Sequence, residues 1–181
     1  MTLQEILVTT ELEARRTRQP NVFAERRALN TIRRRASYGR PAVLQAICEQ
    51  ALELCIAESA GVSILVASED AKRFSWDTLL GRLTPFAGGS APYEYSPCGV
   101  CLRLGAAQLF RRPERYFSWM QKTGMAFNEL LVVPMYQDSH DPLGAIWIVS
   151  HDNERVFDSE DVRIMTALAA HTAAALAITP P

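Results

Sequence analysis

Apolar and polar residues alternate along the chain in two rhythms, and the change from one to the other divides it. Residues 2–18 place Leu3, Ile6, Leu7 and Leu12 at helical spacing with charges between them, which predicts a first helix. Gln19-Pro20-Asn21 ends it, because proline disfavours helical geometry in the residue before it. Asn21 then suits the cap of a second helix carrying Ala24, Ala28, Leu29 and Ile32. Both apolar stripes are narrow and call for a partner helix. Residues 1–37 therefore read as a helical extension that pairs two copies of the chain. Pro41 suits the first turn of a third helix, whose broad apolar face runs through Val43, Leu44, Ile47, Ala51 and Cys55.

The period then shortens to two. Gly61 reads as a strand boundary, and Val62, Ile64 and Val66 alternate after it. Residues 68–70 read as a turn, and residues 72–80 as a second strand with Phe74 and Trp76 on one face. Residues 81–106 are punctuated by glycine and proline and read as one long loop, of the kind that carries function. A short strand at Gln108, Leu109 and Phe110 precedes a helix near Pro113 bearing Tyr116, Phe117 and Met120. Residues 128–136 are apolar on both faces, hence a central strand, with Pro134 at a bulge or an unpaired position. A turn at 138–142 joins it to a hairpin partner at 143–150, which makes the sheet antiparallel. Asp158 caps the last helix, with Asp161 three residues on and Phe157 stapled to Val162. This order gives an α+β fold with helices segregated to one face of the sheet.

Composition and charge add bounds. The 181 residues suffice for one domain plus an appendage. The start of the chain lacks the basic-then-apolar pattern of a signal peptide, and no run of apolar residues is long enough for a membrane span. Four cysteines in such a chain read as reduced thiols, and the location as cytoplasmic with no membrane partner. Residues 15–40 hold nine arginines against the single acid Glu25, a local charge of +8 on an otherwise acidic body. Without a reading motif beside it, that charge does not point to nucleic acid.

Several phrases, in order and spacing, resemble the GAF family of sensory domains: AGVSILV at 60–66, LLVVPM at 130–135, LGAIWIV at 143–149 and FDSED at 157–161. The resemblance covers residues 38–178. It implies an antiparallel sheet of about six strands, helices on one face, and a loop-rich segment at 81–128 that walls a ligand pocket. Members bind cyclic nucleotides, bilins, haem, small metabolites or nothing known, so the fold assigns no cofactor. The implied function is a sensory domain that binds an unidentified small molecule. It would signal through the terminal helices of a homodimer to a downstream protein.

Ligand contacts are expected from Trp76, Tyr95, Cys98, Cys101, Tyr116 and Phe117. Arg103, Arg111 and Arg112 are available to an anion. Cys98 and Cys101, two residues apart in a Gly/Pro-rich stretch, are open to redox chemistry or to packing. No second pair completes a zinc site. Gly99-Val100-Cys101 and Glu129 also resemble features of the GAF-type free methionine-(R)-sulfoxide reductases, which implies an enzyme as the first alternative. There Cys101 attacks the sulfoxide sulfur and Cys98 resolves the product as a disulfide. Leu102 after Cys101, and Trp147 and Val149 where that subgroup carries acids, depart from the pattern. A ligand-free dimerisation scaffold is the second alternative. No histidine lies near the Cys pair to support bilin attachment, and Ser150-His151-Asp152 are adjacent residues that do not face one another as a triad.

Overall fold

A computed structural model describes residues 1–67, 71–138, 141–152 and 155–178. The turn expected at 68–70 and the position of His140 lie outside them. Among the described residues six strands form one antiparallel sheet: β1 (Ser59–Ala67), β2 (Lys72–Gly81), β3 (Ser90–Pro92), β4 (Gln108–Arg111), β5 (Glu129–Asp138) and β6 (Asp141–Ser150). Their order across the sheet is β3-β2-β1-β6-β5-β4. The helices are α1 (Leu3–Ile6), α2 (Val22–Arg35), α3 (Arg40–Cys55), α4 (Pro97–Leu104) and α5 (Ser159–Ile178). This is the α+β arrangement that the hydrophobic rhythm predicts.

The pleat sends successive residues to opposite faces. Ala60, Val62 and Ile64 of β1, Leu131 and Val133 of β5, and Ile146 and Ile148 of β6 pack under α3 and α5. The residues between them face the other way: Leu130 and Val132 of β5 and Trp147 and Val149 of β6 join Phe74 and Phe117 in a second core. Residues 83–127 cover that second face. Gly61 lies within β1 rather than at its edge, opposite Trp147 in the ladder. Pro134 sits beyond the last β4 pair, where β5 has β6 on one side alone, next to a register shift at Met135 and Tyr136.

The start of α5 is built as expected. Asp158 Oδ1 accepts the Glu160 and Asp161 amides at 2.8 and 3.1 Å, while Asp161 Oδ2 accepts the Asp158 amide at 2.8 Å. Asp161 is fully buried and paired with Arg18 and Arg155 at 2.7 and 2.6 Å. Asn21 caps α2 through the Ala24 amide at 3.1 Å.

The continuous helix expected over 2–18 does not form. Only α1 is α-helical, and residues Thr9–Ala14 make a 3₁₀ turn. The β-branched run Val8-Thr9-Thr10 favours extended geometry, and the edge of β4 offers better partners than the helix does. Leu7 bridges Phe110, the Val8 amide donates to the Leu109 carbonyl at 2.8 Å, and Thr9 Oγ1 accepts the Leu109 amide at 3.0 Å. The first 18 residues thus form a strap on this chain's own body, with Ile6 and Leu12 buried beneath it. No helix among the described residues is long and apolar enough to cross a membrane.

Candidate functional site

The sheet face under residues 83–127 encloses a cavity of about 50 Å³. Its floor comes from β1, β2, β5 and β6, which present Ser63, Trp76, Leu79, Leu130, Trp147 and Val149. Its cover comes from the 3₁₀ turns Thr84–Phe86 and Ser118–Thr123, from β3 and from the start of α4. The register explains why Trp147 fits. A Cβ on Gly61, its ladder partner, would stand 2.3 Å from Trp147 Cζ2 and 2.6 Å from Leu79 Cδ2. Glycine at 61 leaves the indole room to lie flat on the strand.

One hydroxyl organises the floor. Ser63 Oγ, fully buried, accepts from Trp147 Nε1 at 2.9 Å and from Trp76 Nε1 at 3.2 Å, and lies 3.4 Å from Cys98 Sγ. A hydroxyl has two lone pairs and one proton. With both lone pairs engaged by indoles, its proton is left to bridge to the sulfur.

Cys98 and Cys101 do not lie in a loop. They occupy the first turns of α4, which Ser96 caps by accepting the Gly99 amide at 3.1 Å, with Pro97 in the first turn and Gly105 in the left-handed conformation after the last. Gly99 is required by packing, since a Cβ there would stand 1.8 Å from the Tyr93 carbonyl oxygen. Cys98 faces the cavity. Cys101 is fully buried, with its single S–H shared between the Ala106 and Val132 carbonyls at 3.3 and 3.5 Å. Burial pushes the Cys98 thiol up to about 12 and holds that of Cys101 well above the ordinary range. Both are protonated at neutral pH, the inactive form of a nucleophile.

Glu129 is on the other side of the sheet. It accepts the Phe157 amide at 2.9 Å and pairs with Arg15 at 2.6 Å. Glu129 and the two cysteines therefore do not form one site, and the geometry that sulfoxide chemistry needs is not assembled. Of the expected ligand contacts, Trp76 and Cys98 line the cavity. Tyr95, Tyr116 and Phe117 cluster beside it, with ring centroids 4.9–5.4 Å apart, and Tyr95 donates to the Tyr116 carbonyl. Residues 113–123 wind as two short 3₁₀ turns rather than the expected helix, so Phe117 points inward while Tyr116 is half-exposed. Arg103 pairs with Glu94 and Arg111 with Glu11, and Arg112 sits exposed before a 3₁₀ turn, so none of the three reaches the cavity. His151 is held on both ring nitrogens: Nδ1 donates to the Ala126 carbonyl at 2.7 Å and Nε2 lies 2.8 Å from Ser59 Oγ.

Sequence reasoning missed Ser63 and the place of Trp147 in the cavity floor, whereas Trp119, one of the aromatics flanking the expected pocket, does line it. A glycine inside the strand, at Gly61 beside the alternating Val62, Ile64 and Val66, was the available signal for a large neighbour.

The thiols give a pH prediction. Burial also raises Cys48 to about 12 and Cys55 further. Unfolded thiols ionise near their ordinary value of 9.0 while the native ones stay protonated. Their stabilisation is complete below that pH and is lost as pH rises toward about 12. Stability should fall by about 1.4 kcal/mol per pH unit for each buried thiol above pH ~9. Urea midpoints at pH 8 and 10.5 check this, and flat midpoints would contradict it.

A family model described as GAF domain matches residues 39–177. The GAF domain of an Acinetobacter phosphoenolpyruvate-protein phosphotransferase is similar in structure, with a TM-score of 0.71, 14% identity, and coverage of 88% of this chain and 95% of that one. The GAF-B domain of DevS from Mycobacterium smegmatis aligns with a TM-score of 0.61 and 21% identity, covering 76% and 93%. A phycoerythrobilin-bound GAF domain of a cyanobacterial phytochrome aligns with a TM-score of 0.63 and 14% identity, covering 89% and 96%. No curated protein matches the chain in sequence. With the match spanning most of the chain and the six-stranded antiparallel sheet and its helices agreeing with those structures, this chain belongs to the GAF domain family.

Proposed function

We propose that this is a cytoplasmic sensory domain whose cavity takes a small molecule and whose helical face reports occupancy to a downstream protein. The observation that carries this reading is the asymmetry of the cavity walls. One side is four long strands of the sheet, β1, β2, β5 and β6, and the other is 3₁₀ turns, the three-residue edge strand β3 and one short helix. Segments with so few ladder hydrogen bonds belong to the low-stability end of a fold, where ligands act. The strands that present Ser63 and Trp147 to the cavity present Val62, Ile64, Ile146 and Ile148 to α3 and α5. A shift of the floor is therefore felt under the helices.

The output surface is the groove between α2 and α5, floored by Leu29, Ile32, Ala174 and Ala175 and rimmed by Arg26 and Arg33. Phe23, 86% exposed, lies on the same basic helix as Arg26, Arg27, Arg33 and Arg34. Two copies joined symmetrically along α2 would set arginines against arginines. The charge favours an acidic amphipathic helix of a partner over a second copy.

Native mass spectrometry of the freshly purified protein tests both parts. Extra small-molecule mass on the chain, with slower amide exchange in 83–127 than in the stripped protein, is the expected result. Bare polypeptide mass with no exchange difference favours a ligand-free scaffold. A dimer surviving dilution would give the groove to a second copy.

A further inference from the structure

The chemistry of the cavity narrows what it admits, on the assumption that it is the sensory site. We infer that it takes an uncharged, apolar molecule no larger than a single aromatic ring, seated against the indoles of Trp76, Trp119 and Trp147. Three observations carry this.

The first is charge. Among the described residues, none that lines the cavity is Lys, Arg, His, Asp or Glu. A phosphate or carboxylate entering it would lose its water and meet no counter-charge, and burying an unpaired ion is strongly unfavourable.

The second is that the polar groups are already matched to one another. Ser63 is saturated by two indole N–H groups and the Cys98 thiol. Ser96 caps α4 and donates to the Tyr93 carbonyl at 3.3 Å. Thr123 donates to the Met120 carbonyl at 2.8 Å and accepts the Met125 amide at 3.2 Å. A ligand rich in donors and acceptors would break this set or leave its own groups unmatched. What the walls still offer is dispersion and ring edges, with Trp76 and Trp119 tilted at 36° to each other, their ring centroids 5.6 Å apart.

The third is size. A water needs about 10–15 Å³ of such space. The cavity of about 50 Å³ therefore holds a few atoms as it stands. Met120, unbranched and adaptable, lines it and supplies the remaining room for one ring. A tetrapyrrole or a nucleotide exceeds both the size and the charge limits.

The three tryptophans at the cavity are all that the chain has, so intrinsic fluorescence reads this one volume. The full chain is titrated with benzene, with benzoate as its charged counterpart, and with cyclic AMP. Benzene is expected to change the emission saturably and raise Tm. Benzoate should bind roughly 100-fold more weakly, and cyclic AMP should do nothing. Ala91→Leu, which adds volume at a buried lining position, should abolish the benzene response. If that variant does not fold, nuclear Overhauser contacts from bound benzene to Trp147 and Leu130 localise it in the native protein. Saturable binding of cyclic AMP or benzoate without benzene overturns the ligand class and leaves the sensory reading standing. No benzene response in a protein that purifies with a bound ligand does the same. No response in a protein of bare mass overturns both.

Discussion

Replacing Arg15 by alanine is expected to destabilise the fold by about 3–5 kcal/mol, seen as a lower urea midpoint at unchanged slope. Glu129 is only 1% exposed, and its carboxylate accepts two guanidinium bonds from Arg15, at 2.9 and 2.6 Å. The same guanidinium also donates to the Phe157 carbonyl at 2.6 Å. Without it the carboxylate keeps the Phe157 amide and an Arg111 nitrogen at 3.6 Å, too little to offset burial of a charge. Lysine at 15 should recover part of the loss, because an ammonium cannot match the bidentate fork. Removing both charges together, Arg15→Met with Glu129→Leu, should recover most of it. A loss below about 1 kcal/mol for the alanine variant would show that the strap is held by Ile6 and Leu12 instead.

Trp147→Ala should lose a similar amount, about 3–5 kcal/mol, for a different reason. The indole fills most of the space over Gly61 and holds one of the two Ser63 lone pairs. Deleting it leaves a hole of indole shape in rigid surroundings. Free indole should then stabilise the variant by about 2.7 kcal/mol at 100 times its dissociation constant, while leaving the native protein unchanged. A variant that collapses, with wild-type stability and no response to indole, would mean that the floor of the cavity is soft.

The fold was largely legible in the sequence because its signals are local. The Asp158 cap, the alternation in β1 and the apolar run of β5 each sit within a few residues. Helix α4 carried its signals too, with Ser96 and Pro97 before it and Gly105 after it, but the density of glycine and proline around it masked them. The strap was misread because its helical spacing lost to an edge about a hundred residues away. The site was less legible for the same reason. Trp76 and Cys98 stand out in their own segments, but Ser63 becomes the centre of the floor only through register, meeting Trp147 84 residues later. Glu129 drew attention by its place before the apolar strand. The pleat decides which face it joins, and it joins the one away from the thiols.

The strap also sets an order of events during synthesis. Arg15 finds its partners 114 and 142 residues downstream, and the Arg18 amide meets Asp158 140 residues on. At a translation rate of about 5–20 residues per second, this basic segment waits on the order of ten seconds for its acids to leave the ribosome. Until then the newborn domain carries its largest cationic stretch without those downstream acids. A nascent chain stalled before Asp161 would carry Arg18 without the carboxylate it pairs with.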